Sequence, residues 1–373
     1  MAHYLWQYKG WPRMTWQNAR LSKLLAEVNT LRGQLAGRLT MLGMHEQTES
    51  MVEALTQEIV HSSEIEGELL NRDSVRSSVA RQLGMAYNGL PKEDHYIEGV
   101  VQVMLDATQN YSMELDEERL FGWHAALFPT GYSGAYKIKV AGWREGDEPI
   151  QVVSGAYGNL KVHYEAPQSD MVPEMMSDFL KWVNDDSIDI DPLVKAAVAH
   201  LWFVTVHPFD DGNGRLCRTI TEKLLSKADK TGKRFYSLSS VILNNRKAYY
   251  DHLEEAQNTS VRPAHGLDVT EWVEWFLLAL KDAVEVSLTK TDVVVKKAAF
   301  WDKHRDTPVN ERQRKVLNML LDGFEGKLNS SKWYKINHCS QDTANRDIND
   351  LIAKGILRRA TEGGRSTHYE LCE

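Results

Sequence analysis

The stretch His207–Arg218, with the sequence HPFDDGNGRLCR, most constrains how this chain can fold. It follows the run Leu193–Val206, which is apolar along most of its length and typical of a buried helix. After it, Leu216, Ile220 and Leu224 recur at a spacing of four, which predicts an amphipathic helix. The twelve residues must therefore connect two packed helices through a tight turn.

The centre of this turn is suited to binding an anion. The residues Gly212–Gly214 permit positive φ angles, so successive backbone N–H groups can point into one concavity. That concavity lies at a helix N-terminus, where the helix dipole also favours negative charge. Arg215 and Arg218 share a helix face and can hold the same polyphosphate. The site is not an ordinary P-loop, because the chain lacks the Walker sequence.

Two further side chains of the stretch can supply chemistry. Asp211 offers one carboxylate, which suits an Mg²⁺ ion shared with phosphate oxygens. His207 titrates near neutral pH and can act as a base beside the site. The alternative is a polar turn that only caps a helix, with both arginines solvated. A single residue fits that alternative, but the whole set favours a site.

The twelve residues resemble the signature of the Fic family, His-x-Phe-x-(Asp/Glu)-Gly-Asn-Gly-Arg-x-x-Arg, at every fixed position. Residues 143–167 resemble the flap region of a bacterial Fic subfamily that has an aromatic N-terminal segment and a C-terminal winged helix. The resemblance implies a mainly α fold: a Fic helical bundle with a β-hairpin flap, followed by a C-terminal winged helix-turn-helix domain.

The resemblance also implies an activity, the transfer of AMP from ATP to a hydroxyl group of a target protein. His207 would deprotonate a Ser, Thr or Tyr of that target, which can be the chain itself, and Asp211 would hold Mg²⁺. Phe209 would be an apolar anchor. The implied ATP-binding residues are Asp211, Gly212, Asn213, Gly214, Arg215, Arg218, Tyr249, Tyr250 and Gln257. For the last three, core packing on a helix is the alternative. The two arginines favour a triphosphate over other phosphate-containing donors.

A short β segment interrupts the helical pattern. The runs Ile138–Val140 and Ile150–Val153 flank a turn-rich stretch and predict a β-hairpin. By resemblance, residues 138–155 are the flap, and main-chain hydrogen bonds from its exposed strand can bind an extended target segment. The residues expected to dock the target are Ile150, Gln151, Val152 and Val153. A purely structural hairpin is the alternative.

An upstream motif resembles the inhibitory pattern of the family, (Ser/Thr)-x-x-x-Glu-(Gly/Asn). It lies in residues 62–67 and uses Ser62, Glu66 and Gly67. Glu66 would pair with Arg218 and occupy the cation that the γ-phosphate needs, within one chain or across a homodimer. A misplaced α-phosphate costs orders of magnitude in rate. In some relatives this glutamate helps to remove AMP, so de-AMPylation is a second hypothesis. An exposed helix carboxylate is the structural alternative.

The sequence as a whole predicts four segments. They are an N-terminal helical segment packed on the catalytic part (1–45), the Fic domain (46–290), a linker (291–309) and a winged helix-turn-helix domain (310–373). Residues 301–373 carry 13 Lys and Arg against 11 Asp and Glu, whereas the whole chain has a net charge of −8. The basic character therefore lies where a DNA-reading unit would be.

A DNA-binding regulator that uses its Fic domain as a sensor is therefore the alternative function. The helix Ser340–Lys354 would read double-stranded DNA through Thr343, Asn345 and Arg346, with Arg365 in the wing. Winged helices also bind proteins. Three cysteines without a C-x-x-C pair predict a reducing, cytoplasmic setting, and we expect neither a signal peptide nor a membrane span.

Overall fold

We describe the protein from a computed structural model, which covers residues 4–85, 94–147, 149–154, 161–258, 267–360 and 367–372. The chain divides into two compact units. The first contains residues 1–36 and 47–287, and the second contains residues 37–46 and 288–373. The predicted boundary at residue 45 differs from this division, because a short segment near residue 40 belongs to the second unit.

The described residues are mainly helical, as predicted. The helices are α1 (Asn18–Leu39), α2 (Met44–Ile65), α3 (Arg72–Gln82), α4 (His95–Gln109), α5 (Glu117–Leu127), α6 (Val172–Asn184), α7 (Pro192–Val206), α8 (Asn213–Asp229), α9 (Leu238–Asn244), α10 (Arg246–Gln257), α11 (Thr270–Lys303), α12 (Glu311–Leu321), α13 (Ser330–Asn337) and α14 (Gln341–Ala353). The strands are β1 (Tyr132–Ser133), β2 (Tyr136–Lys137), β3 (Gln151–Ser154), β4 (Lys161–Glu165), β5 (Leu357–Arg359) and β6 (Tyr369–Leu371). No described helix has the length and apolar character that a membrane span requires.

Helix α7 runs through the centre of the first unit and packs closely on α8, as the apolar run predicted. Asp191 caps its N-terminus by accepting a hydrogen bond from the Leu193 N–H at 2.8 Å, and Pro192 occupies the first turn. Its residues are buried on nearly every face. The helix ends at His207, whose φ of 51° turns the chain out of the helix. Helix α8 then begins after Gly212, at a φ of 81°.

The predicted hairpin is wrong in its first strand. Strand β3 pairs antiparallel with β4, not with residues 138–140, and its register joins Gln151 to Glu165. Residues 138–140 do not pair with β3, because other parts of the fold accept hydrogen bonds from their backbone. The Lys139 N–H, for example, donates to Asp210 Oδ2 at 2.8 Å. Ala141 then reverses the chain at a φ of 55°. Glu148 and Gly155 of the predicted flap lie outside the described residues.

The aromatic N-terminal segment is part of the first unit and packs within it. Leu5 is fully buried, and the Trp6 indole N–H donates to the Glu165 carbonyl at 3.0 Å at the end of β4. The rings of Trp11 and Trp202 meet edge to face with centroids 5.8 Å apart. This segment therefore supports both the flap hairpin and α7.

The second unit contains α12, α13, α14 and the antiparallel pair β5–β6, the order of elements that the sequence predicted. Its core residues are Val316, Leu317, Leu328, Trp333, Ala344, Ile348, Leu351, Ile356 and Leu357. Ser340 caps α14 as expected, and Gly355 follows the helix at a φ of 68°. The predicted linker 291–309 is helical as far as Lys303, because α11 continues through it. The winged-helix assignment stays a prediction, and Arg365 lies outside the described residues.

The core of the second unit gives a stability prediction. Ile348 on α14 is fully buried, whereas its neighbour Asn349 is exposed. We expect Ile348→Ala to lower the free energy of unfolding of this unit by about 2–5 kcal/mol, because the surrounding side chains cannot refill the space. Urea unfolding of the intact chain measures it. Asn349→Ala is the matched control and should stay within about 0.5 kcal/mol; equal effects would contradict the core assignment.

Candidate active site

The turn between α7 and α8 is held in shape by the side chain of Asn213. Its Oδ1 accepts a hydrogen bond from the Phe209 N–H at 2.9 Å, and its Nδ2 donates to the Phe209 carbonyl at 2.8 Å. Gly212 fits tightly, because a Cβ there would lie 2.7 Å from the ring of Phe128. Phe209 is buried and stacks on His124 with ring centroids 4.3 Å apart. The apolar anchor Phe209 is therefore inside the fold.

His207 is held as a neutral imidazole. Its Nδ1 bonds to the Val204 carbonyl at 3.3 Å, which requires the proton on Nδ1 and leaves Nε2 as the acceptor. Desolvation by the surrounding protein lowers the pKa of His207 to about 4, and the nearby Arg144 guanidinium acts in the same direction. The ring still lines an open cavity. At neutral pH it can therefore accept a proton at Nε2.

The Arg218 guanidinium is buried and bound by the predicted inhibitory motif. Its Nε donates to Ser62 Oγ at 2.8 Å, and its Nη2 donates to the Ser62 carbonyl at 2.7 Å and to Glu66 Oε1 at 2.8 Å. Glu66 follows directly after α2. Gly67 has a φ of 84°, a conformation that favours glycine, and this turns the chain away after Glu66. The three motif residues thus lie together, in one chain, at the second signature arginine.

Arg215 is also paired, through contacts that the sequence reasoning missed. Its Nη1 donates to Glu68 Oε2 at 2.7 Å and to the Tyr96 hydroxyl at 2.6 Å, and its guanidinium lies 4.9 Å from the ring centre of Phe128. Glu68 lies two residues beyond Glu66. In the sequence, only the short spacing between these two acidic residues could have indicated that Glu68 also pairs with a signature arginine. Tyr96 comes from α4 and left no signal in the sequence.

The two arginines leave donors that suit an additional anion. Arg215 Nε and Arg218 Nη1 are buried and have no hydrogen-bond partner among the described residues. At Gly214 a Cβ would lie 1.9 Å from Glu66 Oε1, so the Glu66 carboxylate occupies the space directly over the start of α8. An anionic group of Glu66 therefore already occupies the position at which the helix N-terminus favours a phosphate.

Asp211, the predicted metal ligand, has both carboxylate oxygens in hydrogen bonds. Its Oδ1 accepts the Gly212 N–H at 2.6 Å, and its Oδ2 accepts a hydrogen bond from the Ser133 hydroxyl on β1. His124 Nε2 donates to its backbone carbonyl at 3.2 Å. The described residues contain no group of three or more His, Cys, Asp or Glu that could hold a metal. One carboxylate suits Mg²⁺, which takes its other ligands from water and phosphate.

A cavity of about 670 Å³ lies beside His207, and Glu66 and Gly214 also line it. The predicted Tyr249, Tyr250 and Gln257 line it too. Tyr249 is buried and its hydroxyl bonds to His200 Nε2 at 2.9 Å, while Gln257 Nε2 donates to Thr205 Oγ1 at 3.1 Å. The polar atoms of Tyr249 and Gln257 are therefore used in hydrogen bonds within the fold. Tyr250 is the most exposed of the three.

The flap hairpin forms one wall of the same cavity. Val152 and Val153 on β3 line it and are exposed, and Gln151 bonds to Glu165 Oε2 at 2.8 Å. Ile150 directly precedes β3 and accepts the Ala166 N–H at 2.9 Å. His163 on β4 lies 2.6 Å from Glu254 on α10 and joins the hairpin to that helix. The structure thus brings together His207, Glu66 of the predicted inhibitory motif and the expected docking strand.

Two segments of the chain match families of known proteins. Residues 114–225 match the Fic/DOC family, and residues 4–85 match a domain of unknown function, DUF4172. The chain is 36% identical over 97 residues to protein adenylyltransferase fic-1 of Caenorhabditis elegans, covering 25% of this chain and 18% of that protein. It is 27% identical over 244 residues to protein adenylyltransferase Fic of Drosophila willistoni, covering 61% of this chain and 43% of that protein. The match spans less than half the length of either relative.

Solved structures share the fold. A Fic family protein from Desulfovibrio desulfuricans G20 aligns with a TM-score of 0.54 and 22% identity, covering 96% of this chain and 98% of its own. A Fic domain containing signaling protein from Bacteroides thetaiotaomicron aligns with a TM-score of 0.52 and 19% identity, covering 72% of this chain. Fold and site define a helical domain with a tight turn at the start of the buried helix α8. The match to the Fic/DOC family covers residues 114–225, which include the whole α7–α8 turn.

The burial of His207 gives a pH prediction. Its pKa of about 4 lies below the ordinary 6.5, so the ring should remain neutral from neutral pH down to about pH 4. The unfolded chain binds this proton more readily, so the shift destabilises the fold as pH falls below about 6.5. NMR of ¹³C-labelled histidine measures it, with His207→Gln to identify the signal. Titration of that signal near pH 6.5 would contradict the burial.

Proposed function

We propose that this chain is a protein adenylyltransferase that moves AMP from ATP to a hydroxyl group of a target protein and is restrained by Glu66. The observation that carries the proposal is the convergence of the neutral His207 and the Glu66 carboxylate on one cavity at the start of α8. The relatives named protein adenylyltransferase support it. The donors left free on Arg215 and Arg218 support a polyphosphate as the ligand.

In the proposed reaction, His207 Nε2 takes the proton of a Ser, Thr or Tyr hydroxyl. The hydroxyl oxygen forms a bond to the α-phosphorus of ATP, and the bond from that phosphorus to the bridging oxygen of the β-phosphate breaks. Pyrophosphate leaves, and AMP remains on the target. The N–H groups of Asn213 and Gly214, with Arg215 and Arg218, hold the phosphates in line, whereas the expected donor Gly212 N–H already bonds to Asp211 Oδ1. Such transfer depends mainly on positioning and charge neutralisation.

Asp211 would hold Mg²⁺ and the flap would hold the target. When bound, Mg²⁺ neutralises charge on the phosphate oxygens. Ser133 can keep the Asp211 carboxylate in place by its hydrogen bond. The exposed edge of Val152 and Val153 borders the cavity, so a target strand added there would place its side chain near His207.

The restraint follows from the pairing of Arg218. While Glu66 binds its Nη2 and covers Gly214, a γ-phosphate cannot use either position. ATP would then bind with its α-phosphate out of line with the attacking oxygen. The pair lies within one chain, which supports inhibition in cis, and a homodimer and a cytoplasmic location stay predictions.

We expect Glu66→Gly to raise AMP transfer, because it frees Arg218 and the space over Gly214. Purified chain with Mg²⁺ and α-labelled ATP, alone and in lysate, should label itself or a partner at least about tenfold more than the unchanged chain. Mass spectrometry of the product then identifies the transferred group.

The controls for this experiment are His207→Ala, which should abolish labelling in the Glu66→Gly background, and removal of Mg²⁺ with EDTA. Labelling that survives His207→Ala would contradict its role as the base. A Glu66→Gly chain that labels nothing in lysate would contradict the proposed transfer. Loss of AMP from pre-labelled protein, only when Glu66 is intact, would favour de-AMPylation.

DNA binding by the second unit is a second candidate, favoured by the exposure of Asn345 and Arg346 on α14. In a gel-shift assay, we expect the intact chain to bind random DNA duplexes at low salt. Binding should weaken as salt rises, because contacts to DNA phosphates release counterions. Arg346→Ala should weaken the shift. Absence of any salt-dependent binding would leave protein contact as the role of this unit.

A further inference from the structure

Arg144 is a buried cation that is bound by backbone carbonyls at the end of α7. Its side chain is 3% exposed. Its Nε donates to the His207 carbonyl at 2.8 Å, and its Nη2 donates to the carbonyls of Pro167 and, at 3.4 Å, of Val206. Its backbone N–H donates to the Pro208 carbonyl at 3.0 Å. Each hydrogen bond that its guanidinium makes among the described residues goes to the main chain.

These carbonyls belong to the part of the chain that sets the direction of the His207 ring. The last carbonyls of a helix lack partners within the helix, and a cation there is favourable. His207 has a φ of 51°, which is unfavourable for a residue with a Cβ and persists only where surrounding contacts hold it. Arg144 supplies such contacts on both sides of the His207–Pro208 peptide. The same fork binds Pro167, two residues beyond β4, so it also connects the flap to the base.

We propose that Arg144 is a positioning residue for His207, which fixes the backbone at the end of α7 so that Nε2 faces the cavity and the flap. The inference rests on the proposed transfer of AMP, because it assigns Arg144 to the step in which His207 takes a proton. Arg144 itself does not touch the reacting atoms.

The charge of Arg144 provides a measurable effect, a change in the pKa of His207, that we would not expect if Arg144 only stabilised the fold. The charged groups that face His207 are Arg144, Glu66 after α2 and Asp211 in the turn. Burial and Arg144 lower the pKa of His207, whereas the hydrogen bond to Val204 and the two carboxylates raise it. Removal of the Arg144 charge should therefore raise the pKa of His207, and a lysine in its place should leave it nearly unchanged.

The test compares Arg144→Gln with Arg144→Lys in the full chain. Kinetics use the Glu66→Gly background, in which we expect Arg144→Gln to lower kcat at least about tenfold while KM for ATP stays within about twofold. Histidine NMR uses the chain with Glu66 intact, in which Arg144→Gln should raise the pKa of His207 measurably above that of the parent. Arg144→Lys should keep the parent titration but lose part of kcat, because one ammonium cannot bind the carbonyls of both His207 and Pro167.

Arg119→Gln is the matched control. Arg119 also donates to backbone carbonyls, those of Met113, Glu114, Asp106 and Asn110, but it does so between α4 and α5. We expect it to lower thermal stability without moving the titration of His207.

Unchanged kcat in Arg144→Gln overturns the inference, whatever the titration does, and so does a loss of kcat without a change in the titration. If Arg144→Gln fails to fold, Arg144→Lys decides: a fall in kcat of about fivefold or more at constant KM supports the inference, and parent kcat overturns it. If the Glu66→Gly parent labels nothing, that result contradicts the proposed function instead. The NMR comparison then still tests whether Arg144 lowers the pKa of His207.

Discussion

The pairing of the buried Arg218 guanidinium is the interaction on which the organisation of the site depends. A charge with only 2% of its surface exposed needs partners, because an unpaired buried ion costs several kcal/mol. Here the partners are Ser62 and Glu66 at the end of α2, so the segment that matches DUF4172 completes a site that belongs to the Fic/DOC domain. Any ligand that takes Arg218 must replace this carboxylate with another anion. The proposed inhibition and the proposed binding of a polyphosphate therefore depend on the same need of Arg218 for an anionic partner.

The same principle extends to the neighbouring cations. Arg215 is paired with Glu68, four residues from the start of α3, and Arg144 is bound by carbonyls at the end of α7. Arg215 and Arg218 join the start of α8 to residues 62–68, and Arg144 joins the end of α7 to Pro167 after β4. Their partners differ: Arg215 and Arg218 are paired with carboxylates, whereas Arg144 is bound to main-chain carbonyls.

Local patterns in the sequence predicted the central elements well. The apolar run before His207 and the period of four after Arg215 are properties of single helices, and α7 and α8 lie where those patterns indicate. The hairpin was less predictable. Ile138 and Val140 have β-branched side chains at a strand-like spacing. The N–H groups of Ile138 and Lys139, however, donate to Gly131 and Asp210 and not to β3. A single-strand pattern carries no information about which partner is available.

The sequence by itself determined the helices, the turn at Gly212–Gly214 and the residue types that can bind phosphate and take a proton, because these follow from spacing and side-chain chemistry. Only the tertiary structure decided which groups meet. It placed Glu66 over Gly214, paired Arg215 with Tyr96, and put Arg144 against the His207 carbonyl. It also lowered the pKa of His207 to about 4, because that shift comes from burial by residues distant in the chain. Contacts between distant segments depend on packing, which no local pattern contains.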